Sequence, residues 1–314
     1  MSQWKFEKGL HEIGNGCWAY LQPDGSWGYS NAGLVTDGDA SLLVDTLFDL
    51  PLTEAMLSAM RDATPAAREI ETVVNTHANG DHCYGNSLVR DATIIASKAS
   101  LEEMDEVPPQ LLAQLLESAD QLGPAGQFFE RIFGRFQFAG IEQVKANRAF
   151  EGELEVTVGD KAVHLIEVGP AHTRGDVLVH SVADRAVFTG DILFIEGTPI
   201  MWAGPVDNWI RACERIEAMD VDVVVPGHGP IVGRAGVAAV REYLAYVRDE
   251  ARKRFDAGLS AADAARDIAL GDFASWGDAE RIAVNVETLY REFDPNLEPA
   301  NLVELFALMG ELAR

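Results

Sequence analysis

Short apolar runs that end at a glycine, a histidine or an aspartate recur along the chain. Four of them are ETVVNT before HANGDH, AVHLIEVGP before AHTRGD, RAVFTG before DILF, and VDVVVPG before HGP. Runs of this kind, rich in β-branched residues, predict strands buried on both faces, as in a layered α/β fold. Because functional side chains in such folds collect on loops at strand ends, the pattern predicts a cluster of His and Asp side chains at one sheet edge.

The remaining pattern predicts further strands and several helices. Residues 17–50 contain short apolar strands separated by the turn sequences QPDGSWG and TDGDA. The segment from Thr53 to Asp62 has a helical pattern, with Thr53 as the candidate N-cap. Residues 101–140 are mostly helical in pattern and rich in Leu and Phe, and residues 235–314 predict three or four more helices.

These segments predict the domain organisation. Residues 1–235 form the main domain, with a helical insert at about 101–148, and residues 236–314 form a C-terminal helical extension. A chain of 314 residues is long enough for one large domain with such an appendage.

Composition and charge narrow the range of partners. The chain has 25 Lys and Arg against 50 Asp and Glu, a formal net charge of −25 at pH 7. A surface this negative repels phosphate backbones and anionic lipids, so we expect a small-molecule substrate and neither nucleic acid nor membrane as a partner. No segment approaches the roughly 18–20 apolar residues of a membrane span. With no secretory signal pattern and only three dispersed cysteines, the expected location is cytoplasmic.

Four of the seven histidines occupy the strand-end loops, together with two aspartates. The candidate metal ligands are His77, Asp81, His82, His172, Asp191 and His228. Imidazole nitrogen and carboxylate oxygen are donors that zinc takes in proteins. The first loop has the form His-x-Asn-x-Asp-His, so Asn79 occupies a position where another histidine would complete the set.

The order of these motifs resembles the metallo-β-lactamase-fold superfamily. The resemblance rests on HANGDH, AHTRGD, FTGD and PGHGP, and it spans roughly residues 15–235. It implies an α/β fold, an αββα sandwich that holds its metal ions at one edge between two β-sheets.

The resemblance also divides the ligands between two metal sites bridged by Asp191. Site one would consist of His77, Asn79 and His172. Site two would consist of Asp81, His82 and His228. Because a carboxamide oxygen is a weak ligand for zinc, we expect site one to be weakened and a single zinc at site two to be the favoured state.

Three interpretations of Asn79 are open. The favoured one is contact with substrate or with a metal-bound water, the second is a turn residue in the Asn-Gly pair, and the third is a direct ligand.

These expectations predict a zinc-dependent hydrolase with one or two ions. It would cleave a small, fairly apolar ester, lactone, thioester or amide through a metal-bound hydroxide, with Asp81 as the catalytic residue that orients the hydroxide and accepts its proton. A binding protein without catalysis is disfavoured, because a decayed site has no physical reason to keep its ligands together.

The alternative is a mononuclear Fe(II) oxygenase that resembles the persulfide dioxygenases of the same superfamily. His77, His172 and Asp191 would form its two-histidine, one-carboxylate face. The complete set of ligands at site two favours the hydrolase.

Aromatic residues near the motifs are candidate walls of a substrate pocket. Trp202, Trp27 and Tyr29 are the candidate substrate contacts besides Asn79. The aromatic-rich insert is either a lid over the site or a face that packs on the sandwich or on a second copy of the chain. The C-terminal helices either complete the pocket or form a homodimer.

Overall fold

The computed structural model describes residues 4–313, in which the predicted strands form two β-sheets. The first sheet, in spatial order, consists of β1 (Gly9–Gly14), β2 (Cys17–Leu21), β3 (Ala32–Asp37), β4 (Ala40–Val44), β5 (Thr72–Val74), β6 (Thr93–Ser97) and β7 (Arg148–Phe150). The second consists of β12 (Val223–Val225), β11 (Ala186–Phe188), β10 (Val177–Ser181), β9 (Lys161–Glu167) and β8 (Glu153–Val158).

A layer of fully buried apolar side chains lies between the sheets. Val35 and Leu42 of the first sheet belong to the same buried cluster as Leu165 and Val179 of the second. Burial of this layer removes apolar surface from water on both sheets at once, so it holds them face to face.

Strand direction places the candidate ligands at one edge. Strands β4, β5 and β6 are parallel, as are β11 and β12. His77, Asp191 and His228 each lie three residues after the end of a strand, namely β5, β11 and β12. Parallel strands end at the same edge of a sheet, so the loops that follow them meet there.

Helices cover the outer faces of both sheets. They are α1 (Leu50–Ala63), α2 (Gly80–Cys83), α3 (Lys98–Glu103), α4 (Pro109–Glu117), α5 (Pro124–Phe133), α6 (Val206–Ala218), α7 (Val237–Asp256), α8 (Ala261–Asp267), α9 (Ile282–Phe293) and α10 (Leu302–Leu312). The prediction of an α/β sandwich with a helical insert and a C-terminal helical extension is therefore confirmed. The predicted cap was wrong: α1 begins at Leu50, and Asp49, whose carboxylate accepts a hydrogen bond from the N–H of Leu52, is its N-cap.

The insert packs through its aromatic residues. Phe133, Phe136 and Phe138 surround the ring of Phe48, with ring centroids 4.8–5.4 Å away, and Phe128 lies next to Phe306 of α10. All of these phenylalanines are buried except Phe306, which is partly buried. They form a packing face on the sandwich and the extension, which is one of the two alternatives for the insert.

None of the helices within residues 4–313 has both the length and the apolar composition needed to cross a bilayer.

Candidate metal centre

The four candidate histidine ligands converge on the carboxylate of Asp191. Its Oδ1 lies 3.1 Å from Nε2 of His82. Its Oδ2 lies 3.4 Å from Nε2 of His172 and 3.5 Å from Nε2 of His228. The Nε2 of His77 is slightly further away, at 3.8 Å from Oδ2. One buried carboxylate therefore lies among four imidazoles.

Asp81 is the second carboxylate of the centre. Its Oδ2 lies 3.3 Å from Nε2 of His228 and 3.8 Å from Nε2 of His82. These three residues offer ligand atoms that all lie within 4.8 Å of one another, as do His77, His82 and Asp191. The first trio matches site two as predicted from the resemblance. The second trio shares His77 with the predicted site one.

Backbone carbonyls orient two of the imidazoles. Nδ1 of His172 donates to the carbonyl of Ile200 at 2.6 Å, and Nδ1 of His228 donates to the carbonyl of Gly25 at 2.9 Å. A carbonyl oxygen can only accept, so in both rings Nδ1 carries a proton. Nε2 of each ring points toward the centre and has a free lone pair whenever the ring is neutral, which is the form that a metal ligand needs.

Asp45, which the sequence analysis missed, orients the other two. Its carboxylate accepts hydrogen bonds from Nδ1 of His82 at 2.9 Å and from the Thr76 hydroxyl and N–H, both at 2.7 Å. Because Thr76 gives its hydroxyl hydrogen to Asp45, Nδ1 of His77, 3.1 Å from that hydroxyl, donates to it. A sequence signal existed, since Asp45 follows the apolar strand β4 in SLLVDT.

Buried polar atoms without partners show that the site fits a cation. Within residues 4–313, Nε2 of His77, Nε2 of His82 and Oδ1 of Asp191 are buried and make no well-directed hydrogen bond, although the last two atoms lie 3.1 Å apart. Unsatisfied buried polar atoms are rare in folded proteins because each costs the free energy of its lost hydration. Two imidazole nitrogens and a carboxylate oxygen are a suitable donor set for a divalent transition metal.

In the metal-free site, the neighbouring carboxylates raise the pKa values of two of the imidazoles. Burial lowers the pKa of His228, but Asp191 and Asp81 outweigh it and raise the pKa to about 9. Burial also acts to lower the pKa of His82, and the carboxylates of Asp191, Asp81 and Asp45 hold it well above the ordinary value. Both rings are therefore protonated near neutral pH when no metal is bound.

The opposite shift occurs at the other two imidazoles and at Asp191. Burial, together with the charge of His82, holds the pKa of His77 well below its ordinary value, and burial lowers the pKa of His172. Burial acts to raise the pKa of Asp191, but His228, His82 and His77 outweigh it and hold that pKa well below its usual range. Asp191 is thus ionised and available to a cation.

Asn79 lies inside the centre. Its Nδ2 is 3.0 Å from Nε2 of His172, and because that nitrogen carries a lone pair, the amide is the donor. Asn79 is also the N-cap of α2, but its side chain makes no capping hydrogen bond. The geometry therefore disfavours a turn role alone.

The two tryptophans that are candidate substrate contacts have different neighbours. The backbone N–H of Trp202 donates to the carbonyl of His172 at 3.0 Å. Trp27 is buried against Phe128 of the insert and donates from Nε1 to Glu280 of the extension at 2.9 Å. Substrate contact by either tryptophan stays a prediction.

Tyr29 packs against the insert. Its ring centroid lies 5.1 Å from that of Phe136, and the guanidinium of Arg135 lies 5.6 Å from the ring. Substrate contact by Tyr29 also stays a prediction.

A second layer that the sequence analysis missed lies behind His228. The ring of Phe194 stacks on that of His228, with the ring centroids 5.0 Å apart and an angle of 4° between the ring planes. The guanidinium of Arg281, from the extension, lies 5.2 Å from the centre of the Phe194 ring and 4.5 Å from that of Trp27. No local pattern in the sequence pointed to Arg281, because its partners lie far away along the chain.

Comparison with known proteins agrees with this geometry. Residues 25–228 match the family model described as metallo-beta-lactamase superfamily. The chain is 24% identical over 216 residues to beta-lactamase-like protein 2 homolog of Caenorhabditis elegans, which covers 68% of this chain and 60% of that protein. It is 25% identical over 212 residues to acyl-coenzyme A thioesterase MBLAC2 of Homo sapiens, covering 63% of this chain and 72% of that one.

A solved structure shares the fold over nearly the whole chain. The sec-alkylsulfatase Pisa1 from Pseudomonas sp. matches with a TM-score of 0.65 and 16% identity, over 95% of this chain and 53% of that one. At this identity the likeness shows the fold alone. Because the match covers 95% of the chain, it includes most of the C-terminal helices.

Zinc binding by the metal-free protein should depend on pH. Because His228, with a pKa of about 9, and His82 must lose protons to act as ligands, zinc binding should release protons and apparent affinity should rise with pH. The rise should be about tenfold per pH unit for each proton released, and the contribution of His228 should level off above about pH 9. Calorimetric titration in two buffers of different ionisation enthalpy counts the protons, and an affinity independent of pH would contradict this account.

Asp45→Asn should weaken metal binding by about 10–100-fold, since the amide no longer fixes the tautomer of His82 with a charged acceptor. Competition with a coloured chelator measures the affinity. Asp184→Asn is the matched control, because Asp184 is a buried carboxylate paired with Lys161 at 3.0 Å. The control should lose stability but keep its metal affinity; equal losses of affinity in both variants would show a general effect of folding.

Proposed function

This chain belongs to the metallo-beta-lactamase superfamily, and we propose that it is a metal-dependent hydrolase of a small, fairly apolar ester, lactone, thioester or amide. The observation that carries the proposal is the convergence of four imidazole Nε2 atoms and two carboxylates, with three of the buried ligand atoms lacking hydrogen-bond partners. The thioester class has additional support from the relative named as an acyl-coenzyme A thioesterase.

The favoured occupant is one zinc ion at site two. Asp81, His82 and His228 would hold it, with Asp191 as a further carboxylate. A second ion would need the lone pair of His172, which accepts the amide hydrogen of Asn79. Breaking that hydrogen bond and placing a carboxamide next to the ion makes the second position the weaker one.

The protein supplies proton transfer and positioning around the ion. A bound zinc ion lowers the pKa of a water ligand to about 7 and polarises a carbonyl oxygen. Asp81 is the more open of the two carboxylates, with a side chain that is 13% exposed against 3% for Asp191. It can therefore accept the proton of the attacking water and return it to solvent or to the leaving group.

Asn79 supplies a hydrogen-bond donor at the mouth of the site. The residue is partly exposed, and its Nδ2 is close to the ligand atoms. An amide N–H in this place can donate to the carbonyl oxygen of a substrate as negative charge develops there. This role agrees with the first of the three interpretations of Asn79.

The iron oxygenase alternative is not favoured. It would use His77, His172 and Asp191 and would leave Asp81, His82 and His228 without a role. The ligand atoms of those three residues all lie within 4.8 Å of one another.

Protein purified without added metal should contain about one zinc per chain and hydrolyse acyl thioesters. Elemental analysis measures the ion, and a thiol-reactive dye follows the released thiol. A chelator and His228→Ala should each abolish turnover, because both remove the metal from site two. His164→Ala is the control, since His164 pairs with Glu155 at 3.0 Å, on strands distant from the centre. Bound iron with turnover that consumes oxygen would overturn the proposal in favour of the oxygenase.

Asn79→His should raise the metal content from about one ion toward two, because it replaces a carboxamide, a weak metal ligand, by an imidazole next to His172. Asn79→Ala is its control: it frees the lone pair of His172 without adding a ligand, so its content should remain near one ion. An unchanged count in Asn79→His would mean that the residue at position 79 does not limit the second position.

A further inference from the structure

The C-terminal extension packs on a segment whose backbone makes hydrogen bonds to His172. This segment, residues 196–206, follows Asp191 in the chain and ends at Val206, the first residue of α6. The carbonyl of Ile200 in it accepts Nδ1–H of His172 at 2.6 Å. The N–H groups of Trp202 and Ala203 donate to the backbone carbonyl of His172 at 3.0 and 3.1 Å. Both the ring and the backbone of His172 are thus held by one segment.

A single side chain of α9 bridges the two peptide groups that flank Ile200. Nδ2 of Asn285 donates to the carbonyl of Pro199 at 2.8 Å, and Oδ1 accepts the N–H of Met201 at 2.8 Å. Because both neighbouring peptide planes are tied to the same rigid carboxamide, the direction of the Ile200 carbonyl is restricted.

The orientation of this carboxamide is itself determined. Nδ2 of Asn285 also lies 3.1 Å from the hydroxyl of Tyr243 on α7. Asn285 is 1% exposed, so these protein groups replace water as its hydrogen-bond partners. Reversing the amide would bring Oδ1 against the carbonyl of Pro199 and Nδ2 against the N–H of Met201, and both contacts would be lost.

Neighbouring side chains of the extension reinforce the same segment. The hydroxyl of Thr288 donates to the carbonyl of Met201 at 2.7 Å, and the guanidinium of Arg281 donates to the carbonyl of Thr198 at 2.9 Å. The N–H of Val206 donates to Glu292 at 2.9 Å. Residues spaced along three turns of one helical stretch therefore make hydrogen bonds to backbone groups between Thr198 and Val206 of the segment.

We infer that Asn285 is a positioning residue for His172: through the Ile200 carbonyl it holds the imidazole in the Nδ1–H tautomer, with the Nε2 lone pair directed toward Asp191 and the metal position. The inference rests on the proposed metal site, since only a ligand role gives the tautomer a chemical consequence. It makes the extension, which lies outside residues 25–228, a working part of the centre.

The direct test is the tautomer of His172 in the metal-free protein. Nitrogen-15 NMR distinguishes the protonated and unprotonated ring nitrogens, and the His172→Gln spectrum assigns the signals. In the unaltered chain Nδ1 should carry the proton. In Asn285→Asp, a carboxylate can still accept from Met201 but cannot donate to Pro199, so the Ile200 carbonyl should move and the Nε2–H form should appear. Asn285→Ala should show the same change.

A matched variant separates positioning from stability. Leu289→Ala on α9 removes a fully buried side chain that has only apolar contacts to lose, so it should destabilise the fold while His172 keeps its Nδ1–H tautomer. If a folded Asn285→Ala or Asn285→Asp variant keeps the original tautomer, or if Leu289→Ala changes it equally, the inference is wrong.

A second measurement connects the tautomer to the metal. In the Asn79→His background, adding Asn285→Asp should weaken the position that contains His172 by about 10–100-fold, while the position of Asp81, His82 and His228 changes little. Both measurements are made without substrate. A failure of the hydrolase proposal would leave the tautomer result standing, and an unchanged tautomer would leave the hydrolase proposal untouched.

Discussion

The structure depends on keeping one ionised carboxylate, that of Asp191, inside a nearly dry site. A buried charge is costly unless other groups compensate it, and here four imidazoles lie within 3.8 Å of its oxygens. The backbone must come close to allow this arrangement. A Cβ atom at Gly227 would lie 2.0 Å from Oδ1 of Asp191, so only glycine fits there. The same charge is what makes the site a place for a cation.

Around this carboxylate, each imidazole is held by a different acceptor residue. Asp45 holds His82 directly and His77 through Thr76, while the carbonyls of Ile200 and Gly25 hold His172 and His228. The acceptors come from four separate parts of the chain. Loss of any one of them would disturb a ring without removing a ligand, which is why the tautomers, and not only the ligand identities, define the chemistry of the centre.

Much of the fold and of the ligand set could be predicted from the sequence. Apolar runs predicted the strands that end before His77, Asp191 and His228, because strand burial is a local pattern of residue types. The helix cap was mistaken for Thr53, because Thr, like Asp, is a good N-cap and the helical pattern alone did not show that the helix begins before it. Asp45 was missed because no histidine stands beside it in the sequence.

The sequence by itself determined which donor types are present, their spacing, and their place at the ends of strands. Only the tertiary structure decided which atom of each ring faces the centre, because that depends on acceptors that are distant along the chain. The acceptor for His172 is the carbonyl of Ile200, which is 28 residues away in the sequence. The acceptor for His228 is the carbonyl of Gly25, at a separation of 203 residues. The position of Ile200 in turn depends on Asn285, 86 residues beyond Pro199. A hydrogen bond needs direction as well as proximity, and direction is set only when the separate elements have packed together.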